Sequence, residues 1–214
     1  GVHPLKSTHE GKPLTSGKKI RALVPGAVTI SMSMHAGAPS EPCVAVGDTV
    51  RLGQVIGTPV GGLGLPVHAS VSGRVMAIGP VQQLRAQREV CVTIENDMRD
   101  DWVELVPAGT LESASAAAIV AAVRAAGICG MGGAAFPTHI KLTVPEGKSA
   151  DTVILNGAEC EPFLTADHRV MLESPRRVLD GLALILRATG AKRGVVAIED
   201  NKPDAIEVIR RAAQ

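Results

Sequence analysis

Apolar positions in this chain follow two rhythms. From about residue 31 to 106 they come in short β-type runs broken by glycine. Val44-Ala45-Val46-Gly47-Asp48-Thr49-Val50 leads into Gly53-Gln54-Val55-Ile56-Gly57, and Val67-His68-Ala69-Ser70-Val71-Ser72-Gly73-Arg74-Val75 leads into Val90-Cys91-Val92-Thr93-Ile94. Several short strands at regular spacing predict a small β-sandwich or barrel, and Gly47-Asp48 is a hairpin signal. From about residue 108 the period changes. Leu111 to Ala126 is alanine-rich, with Ile119, Val120 and Val123 at helical spacing, and Gly127 is placed to cap it. A strand is predicted at Thr152–Leu155, and a helix from Ser174 and Pro175 to Gly190 with Val178, Leu179, Leu182, Ile185 and Leu186 as its buried stripe. A second strand, Gly194 to Ile198, and a helix around Asp204 to Ala213 complete a parallel βαβ pattern.

Residues 1 to 30 are polar and rich in Pro, Gly and Lys, and read as an extended arm. Three parts are therefore expected: this arm, a β domain over 31–106, and the N-terminal part of an α/β domain over 108–214. Two parallel strands cannot cover both of their own faces, so the α/β part reads as a piece of a larger domain. The β part, with its full set of turn signals, should be self-sufficient. A half-built sheet encloses a ligand poorly, so a flavin should bind this piece with micromolar or weaker affinity, on the order of −8 kcal/mol or less in magnitude.

Composition narrows the function. Basic and acidic residues nearly balance at 22 and 21, which leaves no electrostatic footprint for nucleic acid. No apolar run approaches the ~20 residues that cross a bilayer, and the opening Gly1-Val2-His3-Pro4-Leu5-Lys6 has no apolar core of a signal peptide. The cysteines, at 43, 91, 129 and 160, form no C-x-x-C pair, and the six histidines form no H-x-x-x-H pair. No metal ligand is assigned.

The densest chemistry lies at Gly127-Ile128-Cys129-Gly130-Met131-Gly132-Gly133-Ala134-Ala135-Phe136-Pro137-Thr138-His139-Ile140-Lys141. Glycines this close together let the backbone approach a ligand and turn its N–H groups toward phosphate, and Lys141 adds a movable positive charge. Gly130-x-Gly132-x-x-Ala135 fits the dinucleotide fingerprint, but the loop follows a helix rather than a strand, so this is no ordinary Rossmann turn. A glycine cap running into a structural loop is the alternative. A second loop, Asn156-Gly157-Ala158-Glu159-Cys160-Glu161-Pro162, follows the predicted strand, at the strand end where ligands bind in such sheets; Glu199-Asp200-Asn201 occupies the same end of the second strand. Both phenylalanines, Phe136 and Phe163, fall in these segments, where flat rings suit stacking on a flavin or nicotinamide. Cys129 and Cys160 sit inside these two loops and read as small apolar packing residues. Lys141 could be a solvated helix-end lysine and Glu161 a carboxylate serving its own turn.

Two resemblances follow from these residues. The phrases V-G-D-x-V-x-x-G-Q-x-I-G and A-x-x-S-G-x-V resemble the biotinyl/lipoyl-like barrel-sandwich hybrid. A carrier of that kind needs a lysine at the hairpin tip, and Thr58 to Pro66 has none, so the module is read as structural. The glycine loop, the Asn156–Pro162 loop, Gly1-Val2-His3-Pro4, His35-Ala36-Gly37-Ala38-Pro39, Pro66-Val67-His68-Ala69-Ser70 and Ile198-Glu199-Asp200-Asn201-Lys202-Pro203 together resemble the C subunit of the Rnf ion-translocating electron-transport complex. The two loops are also similar to the flavin- and NADH-binding subunit of respiratory complex I.

The resemblance implies an α+β chain: a barrel-sandwich hybrid followed by a partial, Rossmann-like FMN/NADH-binding domain. It implies exchange of hydride with NAD(H) through FMN, with electrons passed to two 4Fe-4S clusters carried by a C-terminal continuation. It implies a peripheral position on the cytoplasmic face of the bacterial inner membrane, among the membrane subunits of the complex. By position, Gly130, Gly132, Gly133, Lys141, Asn156 and Glu159 would line the FMN site, and Phe136 and Glu161 would face the nicotinamide nucleotide. Ala135 stands where the family usually has glycine. The alternative from another class is a non-catalytic β-sandwich docking module joined to an α/β scaffold.

Overall fold

The structure is a computed structural model that describes residues 11–83, 88–131 and 133–214. Gly132 and the opening Gly1-Val2-His3-Pro4 lie outside the described residues. The chain divides into two compact units, residues 23–143 and residues 1–22 with 144–214.

The first unit is built on strands β1 (Ala27–Ser31), β2 (Glu41–Pro42), β3 (Thr49–Val50), β4 (Val55–Thr58), β5 (Val67–His68), β6 (Gly73–Gln82) and β7 (Arg88–Asn96). They form two antiparallel sheets, ordered β1-β7-β6-β3 and β2-β4-β5. Ile30, Met32, Ile56, Val75, Val92 and Ile94 fill one shared core, to which β-branched residues of β1, β4, β6 and β7 contribute. Gly47-Asp48 does make a tight turn, the Asp48 N–H donating to the Ala45 carbonyl at 3.1 Å. It does not close a hairpin, because β2 pairs with β4 and β3 with β6. Strands that switch sheets pair with distant partners, which the local turn signal does not reveal. At Gly73 any side chain would force the backbone to shift: its φ is +150°, and a Cβ would lie 1.8 Å from the Glu95 carbonyl oxygen.

The same unit carries α1 (Ala116–Ala125) and α2 (Thr138–Leu142). Helix α1 starts later than the alanine-rich run predicts, at the point where Ser115 accepts a hydrogen bond from the Ala118 N–H at 3.1 Å. It ends in the left-handed motif expected of Gly127, whose φ is +67°. The Gly127 N–H donates to Arg124 and the Ile128 N–H to Val123, which satisfies two of the last carbonyls.

The second unit has a two-stranded parallel sheet of β8 (Thr152–Asn156) and β9 (Arg193–Ala197), in register from Thr152↔Arg193 to Asn156↔Ala197. Between the strands come α3 (Ala166–Glu173) and α4 (Pro175–Thr189), and α5 (Pro203–Ala212) follows. Proline opens α4 and α5, and α4 stops at Gly190 with φ +73°, as its sequence predicts. Ser174 occupies the N-cap position without a side-chain cap bond. Helix α3 is not anticipated by the apolar spacing. Met171, Ala205 and Ile209 form the core here, with Leu179, Val196 and Ile198 packed against it. Of the predicted α4 stripe, Leu182 is buried and the other four are half-buried.

The described part of the N-terminal arm is not simply extended. Lys12–Leu14 forms a 3-10 turn, and β1 already begins at Ala27. Among the described residues no helix is long and apolar enough to cross a membrane.

Candidate functional site

The glycine loop belongs to the first unit. It is pinched at its base by two backbone hydrogen bonds, Gly130 N–H to the Phe136 carbonyl and Thr138 N–H to the Ile128 carbonyl, both 3.0 Å. It then opens directly into α2. The glycines here have different reasons. Gly127 is structural: beyond its left-handed φ, a Cβ there would sit 2.5 Å from the Pro66 carbonyl oxygen. Gly130 is different, since its Cβ would meet nothing closer than 3.8 Å. Gly133 has φ +149° and open space where a side chain would stand. Packing within the protein therefore does not require Gly130, and at Gly133 only the backbone conformation does. The unfilled space leaves the backbone open to a close-lying ligand.

Phe136, half-buried, and Lys141, exposed, sit together here. The Lys141 ammonium lies 5.9 Å from the centre of the Phe136 ring, within cation–π range. It would also lie 3.9 Å from a Cβ built on Gly130. The structure thus brings Gly130, Phe136 and Lys141 into one cluster. Ala135 adopts φ +49°, a left-handed conformation that costs an L-residue roughly 1–2 kcal/mol. This is the physical reason a glycine suits the position. Ala135→Gly should raise the unfolding free energy of this unit by about 1 kcal/mol in a denaturant titration; a loss of stability would contradict the strain.

His139 of α2 is buried, its Nδ1 without a partner among the described residues, and burial, with the nearby Arg124 charge, holds its pKa below the ordinary value. His68 is likewise pushed down by burial, a hydrogen bond to the Ala125 backbone opposing the shift.

The acidic loop belongs to the second unit. Asn156 ends β8, and its Oδ1 accepts from the Ala158 N–H at 3.0 Å, which turns the chain. Gly157 is needed for close approach: a Cβ would stand 3.0 Å from the Ala197 carbonyl oxygen. Glu159 is buried and held on almost every side. Its Oε1 accepts from the Asp167 N–H at 2.8 Å, in the first turn of α3, where Thr165 supplies no cap bond. Its own N–H donates to Glu199 Oε2 at 3.4 Å, and its carbonyl accepts from Lys12 Nζ. Among the described residues its Oε2 is buried without a partner.

An unpaired buried acceptor costs roughly 1–3 kcal/mol, so Oε2 calls for a donor group. The Glu199 carboxyl is held below the usual range, first by the hydrogen bond from Lys202, then by the Glu159 N–H and the Lys202 and Lys12 charges, against the cost of its burial. Lys202 is itself buried. Asn156 and Glu159 thus share one built loop.

Glu161, by contrast, is exposed, and among the described residues its carboxylate accepts no hydrogen bond. The turn-serving role open to Glu161 falls instead to Glu159, which caps α3. Phe163 takes φ +64°, and its ring lies against Gly11, so any plate it offers is shared with the arm. Sequence patterning does not mark Lys12 or Lys202 as site components, and it marks Glu199 only by its place at the ligand-binding end of the second strand. Glu199 and Lys202 lie in a recognisable motif, but their pairing depends on a turn after β9 that no periodicity signals.

Two family descriptions match the chain: an RnfC barrel sandwich hybrid domain over residues 1–99 and a Nuo51 FMN-binding domain over residues 123–214. The C subunit of the Na(+)-translocating ferredoxin:NAD(+) oxidoreductase complex of Acetobacterium woodii is 47% identical over 99% of this chain and 47% of its own length. The C subunit of the proton-translocating ferredoxin:NAD(+) oxidoreductase complex of Clostridium ljungdahlii is 41% identical over 99% of this chain and 46% of its own. The C subunit of the ion-translocating oxidoreductase complex of Rhodobacter capsulatus is 42% identical over 99% of this chain and 40% of its own. The chain spans somewhat less than half the length of these curated relatives. Across the part it spans, a barrel-sandwich hybrid followed by an FMN-binding domain, the chain belongs to the RnfC family, the C subunits of Rnf complexes.

Proposed function

We propose that this chain is the FMN- and NADH-handling part of an electron-entry subunit in an ion-translocating NAD/ferredoxin oxidoreductase complex. The observation that carries the reading is that one FMN-binding domain description, over residues 123–214, covers both the glycine loop and the acidic loop. Two features of the residues fit such a cofactor. Gly130 and Gly133 leave unused space beside their backbone, and among the described residues Glu159 Oε2 is a buried acceptor without a donor.

In this reading the backbone N–H groups of Gly132 and Gly133, with the Lys141 ammonium, neutralise phosphate, and Gly130, whose N–H is engaged by the Phe136 carbonyl, lines the site by leaving room for close approach. Asn156 and Glu159 hydrogen-bond polar edges of FMN. Phe136 and the exposed carboxylate of Glu161 face the nicotinamide nucleotide. FMN, when bound, supplies the conversion of a two-electron hydride into single electrons. The chain's contribution is to bind, orient and exclude water.

The proposed division is an arm over 1–30, a structural β domain over 31–106 and the N-terminal part of a Rossmann-like domain over 108–214. The 4Fe-4S clusters that receive the electrons are assigned to the portion of the relatives that this chain does not span. The partners are the membrane subunits of the complex, and the place is the cytoplasmic face of the bacterial inner membrane, peripherally held.

Glu161 separates the two ligands. In the intact subunit, Glu161→Gln should change NADH affinity or turnover while flavin occupancy stays near normal. Steady-state kinetics beside the flavin absorbance of the purified protein provide the check. Loss of flavin with no separate effect on NADH would assign Glu161 to the other ligand.

A further inference from the structure

Glu159 is held by residues far from it in sequence. Lys12 donates from Nζ to the Glu159 carbonyl and, at 2.9 Å, to the Leu164 carbonyl. Three residues on, Thr15 Oγ1 donates to the Phe163 carbonyl at 2.8 Å, and Arg169 reaches back to the Ser16 carbonyl at 3.3 Å. Gly11, with φ +67°, lies so close under Phe163 that a Cβ would stand 2.1 Å from a ring carbon. On the amide side, the Lys202–Glu199 ion pair receives the Glu159 N–H. Both main-chain groups of Glu159 are therefore fixed from outside its own loop, and Oε1 is engaged by α3. Among the described residues only Oε2 is left without a partner, and its position is set by all the others.

A surface loop does not order itself this way without cause, since fixing each residue costs roughly 1–2 kcal/mol of backbone entropy. Meeting that cost before a ligand arrives raises affinity, because the ligand no longer has to order the loop.

We propose that the segment from Gly11 to Ser16 is a strap that sets the acidic loop for its ligand, with Lys12 the positioning residue that acts on Glu159 through the main chain. The inference rests on the reading that Glu159 serves FMN. It adds that a stretch matched by the barrel-sandwich description completes the flavin loop.

The test uses the intact subunit with Lys12→Met, which keeps the apolar stem and removes the donor, and Lys12→Arg, which restores one. Two quantities are read: amide hydrogen exchange over residues 157–165 without ligand, and FMN affinity by fluorescence titration. Lys12→Met should exchange faster in that stretch and bind FMN about tenfold more weakly, and Lys12→Arg should recover most of both. Native exchange in Lys12→Met overturns the strap; faster exchange with unchanged FMN affinity overturns its positioning role. If the unmodified subunit takes up no FMN, the functional reading fails, and the exchange comparison alone decides the strap. Should Lys12→Met fail to fold, Thr15→Val, which removes the bond to the Phe163 carbonyl, is expected to show the same two changes at smaller size, and native behaviour in it overturns the proposal.

Discussion

Replacing Lys141 by alanine in the intact subunit should weaken FMN or NADH binding by about 1.5–3 kcal/mol, roughly ten- to 150-fold. The side chain leaves α2 beside the glycine loop, with its ammonium 5.9 Å from the Phe136 ring centre. None of the ion pairs among the described residues includes it. A cation without a carboxylate partner among the described residues, beside glycine backbone that no side chain covers, is suited to meet phosphate in a charge-assisted hydrogen bond. Fluorescence titration with FMN and with NADH separately measures the loss. Unchanged affinity for both would return Lys141 to the role of a solvated helix-end lysine resting on Phe136.

Gly73→Ala should destabilise the β-rich unit by about 3 kcal/mol or more. The new Cβ would meet the Glu95 carbonyl oxygen at 1.8 Å and the Asp97 nitrogen at 3.1 Å, both backbone atoms. Neither can move cheaply, because Gly73 pairs with Asn96 of β7 and with Val50 of β3. The positive φ of +150° adds its own strain. Gly79 of the same strand is the matched control: a Cβ there meets nothing within 4 Å. Thermal denaturation should place Gly73→Ala roughly 6–12 °C below the parent, with Gly79→Ala close to it. Equal melting temperatures for the two variants would contradict the packing described around Gly73.

Legibility in the sequence depends on whether a signal is local. The β8 and β9 strands, the Pro175 start and Gly190 stop of α4, and the Gly127 cap all rest on residues within one or two turns, and the structure shows them where the spacing places them. The Gly47-Asp48 turn is equally legible, but its flanking strands pair elsewhere, since strand pairing is decided by burial across the sheet and not by the turn alone. Helix α3 escapes a local reading because its cap comes from Glu159, outside its own sequence. The carboxylate that serves the turn is Glu159, while Glu161 is exposed. Residue type does not separate two glutamates two positions apart; burial does. The strap over the acidic loop is invisible in the sequence for the same reason: Lys12 and Glu159 are 147 residues apart. Likewise, the compact unit that holds β1 to β7 includes α1, the glycine loop and α2, whereas residues 11–22 group with the α/β elements.

The two loops are proposed to serve FMN and NADH, and the most direct measurement is the flavin content of the natively purified intact subunit. Absorbance after denaturation gives that content, and bleaching of the native absorbance on anaerobic addition of NADH reports electron entry. The expected result is about one FMN per chain at this site and its reduction by NADH, with both diminished in Lys141→Ala. An intact subunit that holds no flavin at these loops when reconstituted with excess FMN, or whose flavin content and bleaching are the same in Lys141→Ala, would contradict it.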